Sequence, residues 1–214
     1  MKRMLTIFLM LFLLSGCAGT EPEETPPPTL APAKPVIYLY PEEETTVTVK
    51  LTFDGTLTST YPAYEDAWTV LAQPDGTLID PESGREYYCL FWEGKSDATF
   101  GLTEGTVVAG KDTERFLEDT LHQLGLTDKE ANEFIIYWLP QMENNPYNLI
   151  SFQGEAYTDM AKLDITPAPD SILRIFMVWA PLDAPMDIPE QTLESFRRTG
   201  FTVVEWGGSE VTFP

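Results

Sequence analysis

The stretch Ile172-Leu173-Arg174-Ile175-Phe176-Met177-Val178-Trp179-Ala180 constrains this chain more than any other. It is apolar at alternate and at successive positions, so a strand built from it is covered on both faces and lies at the centre of a sheet. Arg174 is the exception and shares a face with Ile172 and Phe176. A guanidinium withdrawn from water needs a carboxylate. Glu205, on a strand expected over Phe201 to Trp206, is the first choice. Between these two strands a third helix is expected. Asp187 would cap it, Glu190 would answer the cap, Leu193 and Phe196 would face inward, and Gly200 would stop it.

The other elements follow from periodicity. Thr113 to Leu124 carries Phe116, Leu117, Leu121 and Leu124 on one face and predicts an amphipathic helix ending at Gly125. Thr127-Asp128-Lys129-Glu130 is a capping box for a second helix, with Ala131, Phe134, Ile135 and Trp138 inward and Pro140 limiting its extension. Tyr147 to Phe152 predicts a strand. In the first half, Val36 to Tyr40 is a short strand stopped by Pro41. Thr45 to Phe53 alternates cleanly, and Leu57, Ser59 and Tyr61 alternate next. A three-residue loop, Phe53-Asp54-Gly55, would pair Leu51 with Leu57 and Val47 with Tyr61, with Gly55 left-handed. Pro74-Asp75-Gly76 predicts a second hairpin in which Ala72 meets Leu78. Tyr87 to Trp92 reads as a central strand and Thr106 to Ala109 as another. The class is α+β: an antiparallel, β-rich hairpin meander packed with a C-terminal α/β half holding a helical pair and a strand-helix-strand unit.

The N-terminus sets location rather than fold. Lys2 and Arg3 precede an apolar run from Leu5 to Leu14, too short to span a bilayer, followed by Leu14-Ser15-Gly16-Cys17. This tetrad resembles the lipobox of bacterial lipoproteins. The resemblance implies cleavage before Cys17 and a diacylglycerol on its thiol, which supplies the two acyl chains that stable anchoring takes. The expected organisation is a lipoprotein signal peptide at 1–16, the lipidated Cys17 with an acidic Pro-rich linker at 17–34, and one globular α+β domain at 35–214, with a subdivision possible near 110. The linker would extend about 3.1 Å per residue, a spacer of roughly 50 Å.

Charge excludes some partners. The chain has 34 acidic residues against 13 basic, a net charge of −21. It repels nucleic acid and anionic headgroups, so the lipid must hold the protein on the membrane. The expected place is extracytoplasmic: the outer face of the cytoplasmic membrane, or an outer membrane if the host has one. Cys89, in an apolar run, reads as a small hydrophobe. His122 is the only histidine and reads as a solvated position in the last turn of a helix. A single histidine leaves neither a nucleophilic triad nor a multi-histidine metal site. No catalytic residue, metal or cofactor is assigned.

Lys34-Pro35-Val36-Ile37-Tyr38-Leu39-Tyr40-Pro41, Tyr137-Trp138-Leu139-Pro140, Asn145-Pro146-Tyr147-Asn148 and Glu205-Trp206-Gly207-Gly208 resemble an uncharacterised family of predicted secreted bacterial proteins, over most of residues 35–214. The resemblance implies no activity. Three readings of function remain. Trp92, Trp206, Tyr147 and Asn148, with Glu93 and Glu205 beside the tryptophans, could line a groove for an envelope ligand such as a glycan, which requires exposed indole rings. Paired carboxylates such as Glu93 and Glu205 could hydrolyse envelope glycans, which requires both in one pocket within about 5–10 Å. An envelope assembly or interaction protein would instead present a face to a protein partner. Binding is favoured over catalysis. If both rings are buried and no pocket holds two carboxylates, the interaction reading takes over.

Overall fold

The computed structural model describes residues 33–212. The expected signal peptide, Cys17 and the expected linker up to residue 32 lie outside them. In chain order the elements are β1 (Ala33–Tyr40), β2 (Thr45–Phe53), β3 (Thr56–Tyr61), β4 (Trp68–Ala72), β5 (Leu78–Ile79), β6 (Glu86–Tyr87), β7 (Leu90–Lys95), β8 (Thr106–Ala109), α1 (Thr113–Leu124), α2 (Asp128–Met142), β9 (Tyr147–Gln153), α3 (Glu155–Met160), β10 (Ala161–Thr166), β11 (Ser171–Leu182) and β12 (Thr202–Glu210). They form a seven-stranded sheet, β3-β7-β1-β12-β11-β9-β8, and a five-stranded sheet, β10-β2-β4-β5-β6. Every pairing is antiparallel except β11 with β12. The fold is α+β, with the helical pair α1–α2 in its C-terminal half.

The large sheet is the middle of three layers. One face meets the small sheet: Ile37, Leu39, Leu90, Trp92, Phe176, Val178 and Val203 pack on Val47, Val49, Leu51, Trp68 and Val70. The other face carries α1 and α2: Val36, Tyr38, Ile175, Met177, Trp179, Val204 and Trp206 pack on Leu117, Leu121, Phe134, Trp138 and Met142. Strand β11 is thus central and apolar on both faces. A one-residue slip would exchange its two apolar sets and carry Arg174 away from Glu205, its partner across the β11–β12 ladder. Both sets would stay buried after the slip, so the register is set chiefly by Arg174, which would leave the Glu205 charge buried without its partner.

Local rules hold where they depend on neighbours in sequence. Gly125 ends α1 in the left-handed region at φ 102°. The α2 capping box forms, Glu130 N–H donating to Thr127 Oγ1 and Thr127 N–H to Glu130 Oε2. Ala72 pairs with Leu78 around Gly76, which sits at φ 89°. Pro140 lies inside α2, which runs two residues past it.

Three expectations fail, each for a long-range reason. First, β2 and β3 are not a hairpin. Both sides of β2 are taken, by β10 (Leu51 opposite Leu163) and by β4 (Val47 opposite Val70), and β3 pairs with β7 in the other sheet. Gly55 is not left-handed. It is required because a Cβ there would come within 2.3 Å of the Lys95 carbonyl.

Second, Tyr87 to Trp92 is not one strand. Tyr87 pairs with Leu78 in the small sheet, Leu90 with Ile37 in the large one, and Tyr88-Cys89 crosses between.

Third, residues 187–199 are not helical. β11 is twelve residues long, roughly 40 Å, and its parallel neighbour must begin back at its start. An extended chain covers that distance easily, whereas a helix rises only about 1.5 Å per residue. The helices α1 and α2 also already cover that face. The segment's polar groups are met elsewhere: Pro189 O accepts from Gly105 N–H at 2.9 Å, and Leu193 O from Gln123 Nε2 at 3.0 Å. A strand-helix-strand unit does exist, at β9-α3-β10.

Candidate functional site

The residues singled out by sequence fall in three places. The first is a polar cluster between the sheets, in which Arg174 Nη2 and Tyr157 Oη are buried without a hydrogen-bond partner among the described residues. Arg174 Nε donates to Glu205 Oε2 at 2.6 Å, and Trp92 Nε1 donates to Glu205 Oε1 at 3.1 Å. The guanidinium carbon lies 4.8 Å from the centre of the Tyr157 ring, itself stacked on Phe176 at 4.1 Å. Glu205 is fully buried. Burial works against the Arg174 charge, but Glu205 beside it outweighs that and holds the guanidinium firmly protonated. Burial, then the Glu205 charge, pushes the Tyr157 phenol well above its usual range. Both Glu205 oxygens are committed, and the carboxylate neutralises the cation that sequence reasoning assigned to it.

The second place is the opposite face of the large sheet. Trp206 is fully buried there, its ring edge-on to Phe134 at 5.3 Å. Glu93 is half-buried and accepts the Lys34 backbone N–H at 3.3 Å. The third place is the start of β9. Asn148 is buried; its Nδ2 donates to Thr113 Oγ1 and to Met142 O, and its Oδ1 accepts from Asn145. It fastens the end of α2 to β9. Tyr147, half-buried, lies opposite Ala109. These six residues share no surface, and neither indole meets the exposure that sugar stacking requires: Trp92 and Trp206 are each 0% exposed. Cys89 is buried, and burial together with Glu133 pushes its thiol up to about 12, so it is not a ready nucleophile. His122 is exposed in the last turn of α1. Among the described residues, no group of three or more His, Cys, Asp or Glu could hold a metal ion.

Sequence reasoning missed a second arginine pair. Arg198, on the extended crossover, donates from Nη1 to Glu130 Oε1 at 3.1 Å, from Nη2 to Glu130 Oε2, and to the Gly125 carbonyl that ends α1. Its guanidinium also covers the Tyr40 ring at 5.6 Å. Glu130 therefore serves both the capping box and this clamp. Burial would raise its carboxyl, but hydrogen bonds from Arg198 and from the Thr127 backbone outweigh burial and hold it below the usual glutamate range.

Sequence reasoning also missed a slot. β9 pairs with β11 only from Phe176 to Leu182 and then leaves for α3 at Gly154. The first residues of β11 therefore have no strand on that side. A cavity of about 390 Å³ lies there, bounded by Phe152, Gly154, Leu173 to Phe176, and the crossover from Gln191 to Glu194, with Glu104 at its rim. The Gln191 side chain braces the slot, accepting from Phe152 N–H at 2.8 Å and donating to Phe152 O at 2.6 Å. Beside Gly154 a Cβ would meet nothing within 4 Å. The sequence offered only an indirect signal, a β11 pattern longer than the β9 pattern, which does not say where β9 stops along β11.

No family model matches the chain, and no solved structure matches it. One relative is an uncharacterised protein in the bglA 3′ region of Butyrivibrio fibrisolvens. It is 36% identical over 98 residues, a match spanning 44% of this chain and 96% of that protein. At that identity and coverage, the chain belongs to the same family as the uncharacterised Butyrivibrio protein.

Proposed function

We propose that this protein is a membrane-anchored extracytoplasmic lipoprotein whose folded part is an interaction module for a polypeptide of the cell envelope. The observation that carries the interaction reading is the slot beside β11. It is concave, partly apolar, and bordered by strand backbone that no other strand among the described residues uses. The glycan readings lose the residues assigned to them: Trp92 and Trp206 are buried, and Glu205 is occupied by Arg174 and Trp92, so it cannot pair with Glu93 in a pocket. The anchoring reading rests on the tetrad ending at Cys17 and on the acidic charge, which leaves no electrostatic route to anionic lipid. Among the described residues, no helix is long and apolar enough to cross a membrane.

Two experiments test this. Cys17→Ser should release the chain from membranes and abolish labelling by a radioactive fatty acid; retention with label intact would overturn the anchor. Photo-crosslinkers placed at several exposed sites of the full chain, in membranes of its host, should trap discrete polypeptide adducts. Their absence from every site would overturn the interaction reading.

A further inference from the structure

We infer that the slot accepts an extended, lysine- or arginine-bearing polypeptide segment, which adds as a strand to the free edge of β11 at Ile172 and Arg174. The inference rests on the interaction reading above and specifies its site and its partner chemistry.

The backbone argument is one of alternation. Ser171 N–H donates to Phe201 O, and Val211 N–H donates to Trp179 O. The odd-numbered residues of β11 therefore turn their backbone groups toward β12, and the even-numbered ones toward β9. From Phe176 onward β9 meets them. Ile172 and Arg174 come before β9 arrives, so their N–H and C=O groups turn to the side that β9 leaves open; Arg174 lines the slot there, and Ile172 lies just beyond its lining. No strand among the described residues pairs with them there. The crossover flanking the slot spends its hydrogen bonds elsewhere: Gln191 on Phe152, Leu193 on Gln123, and Arg198 on Gly125 and Glu130. An unpaired run of this kind, inside a groove with apolar walls, is what strand addition uses: backbone hydrogen bonds give affinity and the groove selects alternate side chains. Ile172, at 40% exposed, is among the few large apolar side chains left in water, and an added strand would cover it.

Charge selects the occupant. Glu104 and Glu194 are exposed at the rim. Arg174, the cation among the lining residues, is already matched by Glu205. The slot thus presents uncompensated negative charge on a protein of net charge −21. That disfavours a second copy of this chain and its own acidic segment around Glu21, Glu23 and Glu24, and it favours a basic strand, with an attraction that salt weakens.

The test uses full-length protein extracted in detergent and a nonapeptide alternating lysine with valine. Amide exchange should show Ile172 and Arg174 unprotected in the free protein and protected at least tenfold with the peptide. A glutamate–valine peptide, and a lysine–valine peptide N-methylated at alternate nitrogens, should give no protection. Ile172→Pro removes a donor with no partner among the described residues, so it should keep the melting temperature and lose the peptide. Glu104→Lys with Glu194→Lys should reverse the preference to the acidic peptide, which gives a second route should the proline variant fail to fold. Protection already present in the free protein, or peptide binding unchanged by both variants, would overturn the inference. In host membranes, a photo-crosslinker at Thr192 should trap a polypeptide and one at Thr69 on the outer sheet should not. Adducts from Thr69 alone, or from neither position, would overturn the slot; the interaction reading falls only if every other exposed site is silent as well.

Discussion

Two arginine–glutamate pairs hold this molecule together, and they are made differently. Arg174–Glu205 joins neighbouring positions of two parallel strands deep between the sheets, with the two side chains 10% and 0% exposed. Arg198–Glu130 ties an irregular crossover to the first turn of a helix, and its arginine is 25% exposed. The first could be anticipated because a strand pattern says which side chains share a face, and a buried cation on that face admits few partners. The second could not, because Arg198 sits in a segment with no realised periodicity and its partner was already employed as a cap. A buried charge inside regular structure announces its partner, whereas a charge that organises irregular chain does not.

This contrast can be broken or sharpened by experiment. Glu205→Ala should have the largest effect, a loss of about 3–5 kcal/mol in chemical denaturation, because it strands Arg174 and the Trp92 N–H in the core. A loss below about 1 kcal/mol would mean that Arg174 finds water or another partner. Arg198→Met should cost less, about 2 kcal/mol, since Glu130 keeps its bond from Thr127 N–H and the site is partly wet. The same variant tests pH dependence. The Glu130 carboxyl is held below its ordinary range in the folded state, so its contribution is complete above the ordinary glutamate value and disappears as pH falls through the depressed one. Stability of the parent should therefore fall more steeply than that of Arg198→Met between roughly pH 5 and pH 3, and parallel acid limbs would refute the assignment. Asp119→Ala, which removes the exposed helical pair with Arg115, should leave the denaturation midpoint unchanged.

The sequence was a good guide to elements and a poor one to partners. Strand β2, helix α1 and the cap of α2 are written in adjacent residues, and so is the hairpin that opposes Ala72 to Leu78. The alternation of Leu57, Ser59 and Tyr61 also correctly marks a strand, but alternation names a face and not a neighbour. The same pattern serves a hairpin with β2 and the observed pairing with β7. The run from Tyr87 to Trp92 is apolar throughout because its two halves line different sheets, not because one strand is covered twice. Asp187 to Gly200 carries good capping residues, yet the distance back along β11 and the prior claim of α1 and α2 on that face decide its conformation. At the site level, Arg174–Glu205 was legible. The slot was not, because it is made by where β9 stops, and stopping points depend on what the next segment must reach.

The position of β12 has one more consequence. It lies between β1 and β11, so it is the seam of the large sheet: without it β3-β7-β1 and β11-β9-β8 are separate ribbons. The first and last described strands must meet across some 170 residues of intervening chain, a closure that is entropically costly and slow. The large sheet, and with it the core on its two faces, is incomplete until β12 lies between β1 and β11. Joining β12 therefore welds the two ribbons in a single step, and a change that weakens its pairing on either side should loosen both at once.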